Sequence, residues 1–413
     1  MENPESRRAG REALLLALTS IPTAAGREDR VIAFIKDWVN DRSALTLTTD
    51  DAGNLLIRPT QQTSTAPPLL LEAHLDHPAF VIESVDSPQQ VSASFRGGVM
   101  APYFIDGRVT HHAAGGATTN GTIMRTDEAN EPDRPFRIAH IEFEKSVNAA
   151  KGDVVTWALP RSAIENGELH APVCDDLAAV SAALCAMDEC IASTSETTGA
   201  APNMHLLLTR AEEVGFIGAI AACKLGTIPD GSRIIALENS RSFADSPLGA
   251  GPIVRVGDRL SVFSPTLTAA VAKIAQQLEG EPERKVGAAP SKKPTETTKP
   301  SPIKPIDGFR WQRKLMPGGA CEATAFQAYG HEATCVCLPL GNYHNMGDLD
   351  EIEPAVKAGN YKGGAPIKPE VISIDDFHNL VELLNACAKH LGAVEPLTTR
   401  LDKLFDDKRF VLD

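Results

Sequence analysis

No run in this 413-residue chain approaches the roughly twenty consecutive apolar residues that a helix needs to span a bilayer. No membrane-spanning helix is expected. The first eleven residues are polar and charged, with no apolar segment behind them long enough for a secretory signal. There is no basic stripe either. Lys and Arg number 40 against 54 Asp and Glu, a net charge of −14, which would repel a nucleic-acid backbone or an anionic membrane surface. Among eight cysteines there is no Cys-x-x-Cys pair, and Cys185, Cys190, Cys223, Cys335, Cys337 and Cys387 sit inside apolar patterns. They read as reduced core residues of a cytoplasmic protein, and a disulfide or zinc-finger framework is excluded. Internal repeats are also lacking. With 43% hydrophobic residues the chain can bury a sizeable core, and its length suggests two or three domains.

The pattern along the chain is that of an α/β protein: a mixed central sheet flanked by helices, with a small all-β barrel-like domain inserted. An amphipathic helix over 14–18 stops at Ile21-Pro22, and Gly26-Arg27-Glu28 opens a second. Asp50-Asp51-Ala52-Gly53-Asn54 marks a hairpin, and the apolar run 68–73 is a buried strand ending on His74-Leu75-Asp76-His77-Pro78. From 86 to 169 helical periodicity gives way to short alternating segments (91–95, 121–125, 136–143, 154–158) between turn residues, the signature of an inserted β module, barrel or sandwich. Residues 1–85 and 170–413 then form a discontinuous catalytic domain. Within it, a helix over 177–191 follows Asp175-Asp176, a strand over 204–209 leads to Glu212-Glu213, and a helix over 217–225 comes next. A strand over 233–237 ends on Glu238, a helix covers 262–278, and a strand over 333–338 leads to His344. Helices are expected over 375–391 and 397–405. The Pro-, Lys- and Thr-rich stretch 279–304 reads as a disordered loop insertion.

Metal-type side chains recur where buried strands end or the next helix begins: His74 and Asp76, Asp175 and Asp176, Glu212 and Glu213, Glu238, His344. In an open α/β sheet those ends converge on one edge. Taken singly, each has a plainer role, His74 as a satisfied core histidine, Asp175-Asp176 as a helix cap, Glu238 as a partner for Arg241, His344 as a surface loop residue. Their recurrence in this order is what points to an oxygen-and-nitrogen ligand set suited to zinc, cobalt or manganese. Five potential ligands exceed the need of one tetrahedral ion. Two ions sharing a carboxylate would use them all.

The ordered set His-x-Asp, Asp-Asp, Glu-Glu-Val-Gly, carboxylate and His resembles the co-catalytic metallo-aminopeptidases of the glutamyl or tetrahedral aminopeptidase family, with the run from Glu212 to Ala219 its most specific part. The resemblance extends to Ile21-Pro22, to Asp51-Ala52-Gly53-Asn54 and to the inserted β module. It implies that His74 and Glu238 bind one metal, Glu213 and His344 the other, and that Asp175 bridges them through a cis Asp175-Asp176 peptide. Asp76 would hydrogen-bond the other ring nitrogen of His74. Glu212 would be the general base, taking a proton from a metal-bridging water and handing it to the leaving amine. Two divalent ions, zinc first and cobalt or manganese as alternatives, short peptide substrates and a homo-oligomer, dimer or larger, are implied with it. The sequence departs from the family in four places: His77 where the family has Glu, Glu238 where aminopeptidases more often have Asp and related carboxypeptidases Glu, Gly318-Gly319-Ala320-Cys321-Glu322 for Gly-Gly-Thr-Asp, and Leu340-Gly341-Asn342-Tyr343 before the last histidine. Metal chemistry survives these changes. Substrate choice stays open between an aminopeptidase and a carboxypeptidase or N-acyl-amino-acid deacylase, with a non-catalytic binding protein as the third reading. Two features fall outside the set: His111-His112, expected to be exposed, and Cys321, expected in the core or a pocket wall.

Overall fold

The computed structural model describes residues 3–61, 67–129, 135–196, 203–280, 303–393 and 397–412. The insertion expected at 279–304 falls almost wholly outside them. Helices α1 (Pro4–Leu18) and α2 (Asp29–Asn40) precede the hairpin β1 (Leu45–Thr49) and β2 (Leu55–Pro59) and the buried strand β3 (Leu69–His74). Next come β4 (Ala79–Ser87), β5 (Gln90–Arg96), β6 (Arg108–His112), β7 (Thr118–Asp127), β8 (Arg137–Phe143) and β9 (Val154–Trp157), which close a barrel in the order β4-β5-β8-β7-β6-β9. Two short strands, β10 (Ala163–Glu165) and β11 (Glu168–Ala171), lead into α3 (Leu177–Glu196), β12 (Met204–Thr209), α4 (Ile217–Leu225), β13 (Arg233–Arg241), β14 (Ile253–Gly257) and α5 (Pro265–Glu279). The chain continues through β15 (Gln312–Leu315), α6 (Glu322–Ala328), β16 (Glu332–Leu340), α7 (Leu349–Lys357), β17 (Glu370–Ser373), α8 (Ile374–His390) and α9 (Leu397–Lys408).

The central sheet runs β1-β2-β12-β3-β13-β16-β14-β15. Its middle strands β12, β3, β13 and β16 run parallel to one another; β2 is antiparallel to β1 and β12, and β14 is antiparallel to β16 but parallel to β15. Parallel strands are covered on both faces, which is why β3 and β12 are buried at every position and read in the sequence as mainly apolar runs. One face carries α3 and α8 over a core that includes Leu71, Leu206, Val336 and Phe377; the other packs Leu70, Leu207 and Ile234 under α4 and α6. No helix among the described residues is long and apolar enough to cross a membrane.

The barrel is filled by edge-to-face aromatic pairs, Phe80 on Phe95 at 4.8 Å, Phe80 on Trp157 at 4.9 Å and Phe95 on Phe104 at 4.8 Å. Its strands begin at Ala79, ahead of the change of pattern at residue 86, because Phe80 and Ile82 on β4 complete that core. The segment 163–171 leaves the barrel and pairs with β17 in a separate three-stranded sheet. His111 is buried, not exposed: its Nε2 lies 2.8 Å from Asp153 Oδ2, and its glycine-rich neighbour 113–117 is only the turn between β6 and β7. Cys321 is fully buried, as expected.

Helix α1 is fastened by a buried charge, Arg11. Arg11 is only 4% exposed, and its guanidinium donates to both oxygens of Glu189 on α3 at 2.6 and 2.7 Å and to Glu382 on α8 at 2.7 Å. Removing it leaves two half-buried carboxylates facing each other. Arg11→Met is therefore expected to cost about 3 kcal/mol, read as a lowered midpoint in chemical denaturation, with the chemistry at the distant sheet edge unchanged in the folded protein.

Candidate metal centre

The carboxyl ends of β12, β3 and β13 deliver Thr209, His74 and Glu238 to one edge of the sheet, and the chain leaving β16 brings His344 to the same place. Asp175 and Asp176 arrive on the loop from β11 to α3, joined by a cis peptide. Glu212 and Glu213 occupy a short 3-10 turn between β12 and α4, flanked by Ala211 and Phe216 in the left-handed region at φ 55° and 62°. The His344 turn is built the same way, with Asn342, His344 and Asn345 at φ 51°, 55° and 62°. Non-glycine residues hold that conformation at a cost, and such strain collects where side chains must be aimed.

Two groups of ligand atoms result, each with its members within 4.8 Å of one another: His74, Asp175 and Asp176, and Asp175, Glu213 and His344. Asp175 belongs to both. Its Oδ1 lies 3.4 Å from His74 Nε2, its Oδ2 lies 3.4 Å from His344 Nε2, and His344 Nε2 is 3.3 Å from Glu213 Oε1. His74 Nε2, Asp175 Oδ1, Asp176 Oδ1 and Glu213 Oε1 are all buried without a hydrogen-bond partner among the described residues. Unpaired buried polar atoms are costly. Four of them converging on two points is the pattern a pair of cations would satisfy, and imidazole with carboxylate is a donor set that divalent metals accept.

The charge balance says the same. Burial pushes the carboxyls of Glu212, Glu213, Glu238 and Asp176 well above the ordinary range, and the neighbouring carboxylates add to it. Burial opposes charge on His74 too, but Asp175 and Asp76 outweigh it and hold its pKa well above that of an ordinary histidine. Asp175 is the exception among the acids. Burial works against its charged form, yet His344 and His74 on either side hold its pKa below the usual carboxylate range.

Around these atoms lies a second layer of contacts. The Asp76 carboxylate accepts from the peptide N–H of Glu212 at 2.9 Å and of Glu213 at 3.0 Å, so it fixes the turn that carries both glutamates. It reaches His74 Nδ1 only at 3.5 Å, and the nearer oxygen, at 3.2 Å, is the Asp76 carbonyl. The same carboxylate thus serves the free N–H groups at the start of the turn, which have no partner within it. Glu238 is buried against the cluster but belongs to neither ligand group, whereas Asp176 belongs to the first; its other oxygen accepts from the His74 N–H at 3.2 Å.

Five more side chains belong to this layer: Glu370, His77, Thr209, Glu72 and Glu322. Glu370, fully buried on β17, accepts from the N–H groups of Cys174 at 2.7 Å and Asp175 at 3.0 Å through one oxygen and from the His344 N–H at 2.8 Å through the other. His77 places Nδ1 2.6 Å from the Asp175 carbonyl and Nε2 3.1 Å from Asn345 Oδ1, so the residue that departs from the family pattern ties together the two loops that hold the second group. Beneath His74, the Thr209 hydroxyl lies between Glu72 at 3.0 Å and Glu322 at 2.8 Å. Burial raises Glu72 to about 7 and Glu322 well above the ordinary range, with Glu72 itself adding to the latter. One hydroxyl hydrogen cannot serve two carboxylates, and a proton retained on the pair resolves the conflict.

The fold is thus a mixed sheet with a closed barrel set into it and a histidine–carboxylate cluster at the carboxyl edge of its parallel strands. Residues 53–281 match the model of the M42 glutamyl aminopeptidase family, more than half of the chain, and the chain belongs to that family. It is a metal-dependent aminopeptidase that uses divalent metal. Solved structures with the same fold include aminopeptidase APDkam598 from the archaeon Desulfurococcus kamchatkensis, with a TM-score of 0.67 and 18% identity over 93% of this chain and 95% of that one. A TET aminopeptidase from a marine-sediment Thaumarchaeota archaeon has a TM-score of 0.66 and 18% identity over 92% and 97%. The Pyrococcus horikoshii TET1 peptidase, described as assembling into a tetrahedron or a large octahedral shell, has a TM-score of 0.64 and 18% identity over 92% and 99%. No curated protein gives a significant match to the chain.

Proposed function

We propose that this aminopeptidase works with two divalent cations, zinc in the first place, and removes N-terminal residues from short peptides. His74 with Glu238 would hold one ion and Glu213 with His344 the other, Asp175 serving both. Asp176, whose free oxygen faces His74 and Asp175, is a further donor to the first. When bound, such a pair lowers the pKa of water and polarises a carbonyl. The observation that carries the reading is the shared Asp175, with one oxygen turned to each histidine.

Glu212 is left over from both ligand groups, and that suits it to move protons. Its N–H is pinned by Asp76, its side chain is 11% exposed, and its Oε2 lies 4.0 Å from His74 Nε2. Burial raises its pKa above the ordinary carboxylate range, and one carboxyl so placed can take the proton of the attacking water and return it to the leaving amine nitrogen. In this reading 1–85 and 170–413 form the catalytic domain, while the inserted barrel, assigned to 86–169, limits access or joins subunits. Assembly as a dimer or a larger homo-oligomer is supported by the shells that related peptidases form. Cytoplasmic residence is supported by eight cysteines outside any disulfide, all but Cys223 buried.

The deciding experiment measures metal content of the purified protein and hydrolysis of matched free and N-acetylated dipeptides with added zinc, cobalt or manganese. About two ions per chain, with cleavage of the free-amine series alone, is the expected result. Turnover of the acetylated series would transfer the site to a carboxypeptidase or deacylase, and absence of both metal and turnover would overturn the reading.

A further inference from the structure

His344 does not hold its own position. Its backbone sits at φ 55°, Tyr343 stacks on one face of its ring at 3.7 Å between centroids and 24° between planes, and its N–H is held by Glu370. None of these fixes which ring nitrogen carries the proton. That is done by the carbonyl of Gly98, which lies 2.8 Å from Nδ1. A carbonyl can only accept, so Nδ1 is the protonated nitrogen and Nε2 is left free toward Asp175 and Glu213.

Gly98 is not part of the catalytic sheet. It lies just past β5, on the segment that carries the barrel strand into the short turn 101–104. The same segment grips the His344 loop a second time, through the Tyr103 hydroxyl, which donates to the Gly347 carbonyl at 2.7 Å with the tyrosine fully buried. Its course is set by Gly97, at φ 135°, where a Cβ would lie 2.7 to 2.9 Å from three atoms of Pro78. Glycine alone fits there. Behind it the barrel is seated on the body by Arg96, which donates to the Ala25 carbonyl at 2.7 Å, and by Arg30, which donates to the His112 carbonyl at 2.7 Å.

We propose that the inserted barrel is a working part of the metal centre: through the Gly98 carbonyl it sets the tautomer and aim of His344, so that the affinity of the ion His344 serves depends on where the barrel sits. The barrel is thereby more than a cover or a subunit contact. Gly98 and Gly97 are positioning residues, and they act through the histidine. The inference rests on His344 as a ligand, and the test separates the two.

The probe is cobalt(II), titrated into the metal-free full-length protein and followed by its visible absorption. Gly97→Ala is expected to weaken one of the two cobalt sites by roughly tenfold or more, the scale on which a metal ligand responds to loss of its outer partner, and to leave the other unchanged. Should that variant fail to fold, replacing the Val99 nitrogen by oxygen, an ester in place of the 98–99 amide, weakens the Gly98 carbonyl as an acceptor without adding an atom. Its thermal transition should stay near that of the parent while the same site loses affinity severalfold. Parent-like affinity at both sites in the ester protein, or in a folded Gly97→Ala protein, overturns the inference. His344→Ala is the companion measurement. If it loses one ion and the ester protein loses nothing, only the role of Gly98 fails; if it keeps both ions at parent affinity, the assignment of His344 fails and the inference with it.

Discussion

Glu212→Gln is expected to lower kcat by roughly 10²–10⁴-fold while the protein still takes up both metal ions. The substitution changes almost nothing except the ability to accept a proton. The peptide N–H of residue 212 keeps its bond to Asp76, the side-chain volume is preserved, and residue 212 belongs to neither ligand group. Metal content from elemental analysis and KM for a free-amine dipeptide should therefore stay close to the parent values. Near-parent turnover would sink the role of Glu212 as the base. Loss of metal along with activity would mean instead that Glu212 is a ligand.

The second large effect is expected at Asp175. It alone is common to both ligand groups, one oxygen to each histidine, so Asp175→Ala should empty both sites together. Turnover should fall at least about a thousandfold, since several kcal/mol of transition-state stabilisation disappears with the ions. Elemental analysis after dialysis decides the matter. Retention of one full equivalent of metal would show that Asp175 serves a single site, and a sharing carboxylate would have to be sought elsewhere.

The candidate ligands were legible because each interrupts a strong pattern. A polar side chain at the end of a mostly apolar strand, such as His74 at the end of Leu69-Leu70-Leu71-Glu72-Ala73, stands out by its position. The same holds for the elements between them: α3, β12, α4, β13 and β16 announce themselves by period and length. What supports the ligands left no such mark. Glu370 lies in a four-residue strand of the three-stranded sheet, and its partners Cys174 and Asp175 are nearly 200 positions away in sequence. Gly98 acts through its backbone carbonyl, which every residue type has. Glu72 reads as a polar interruption of a strand until α6 brings Glu322 against it across Thr209. Helix α7 was hidden by Pro354 in its interior, and β10, β11 and β17 by their shortness. Local pattern shows where a side chain is out of place in its element. It does not show which distant element will come to meet it.

The grip of Glu370 has a bearing on how the enzyme comes into being. The carboxylate that joins the peptide groups of Asp175 and His344 enters the chain after both of them, on a strand that must pair with β11 to reach its place. Every candidate ligand precedes this clasp in the chain, so a chain cut short before residue 370 carries all of them without the carboxylate that joins the peptide groups of Asp175 and His344.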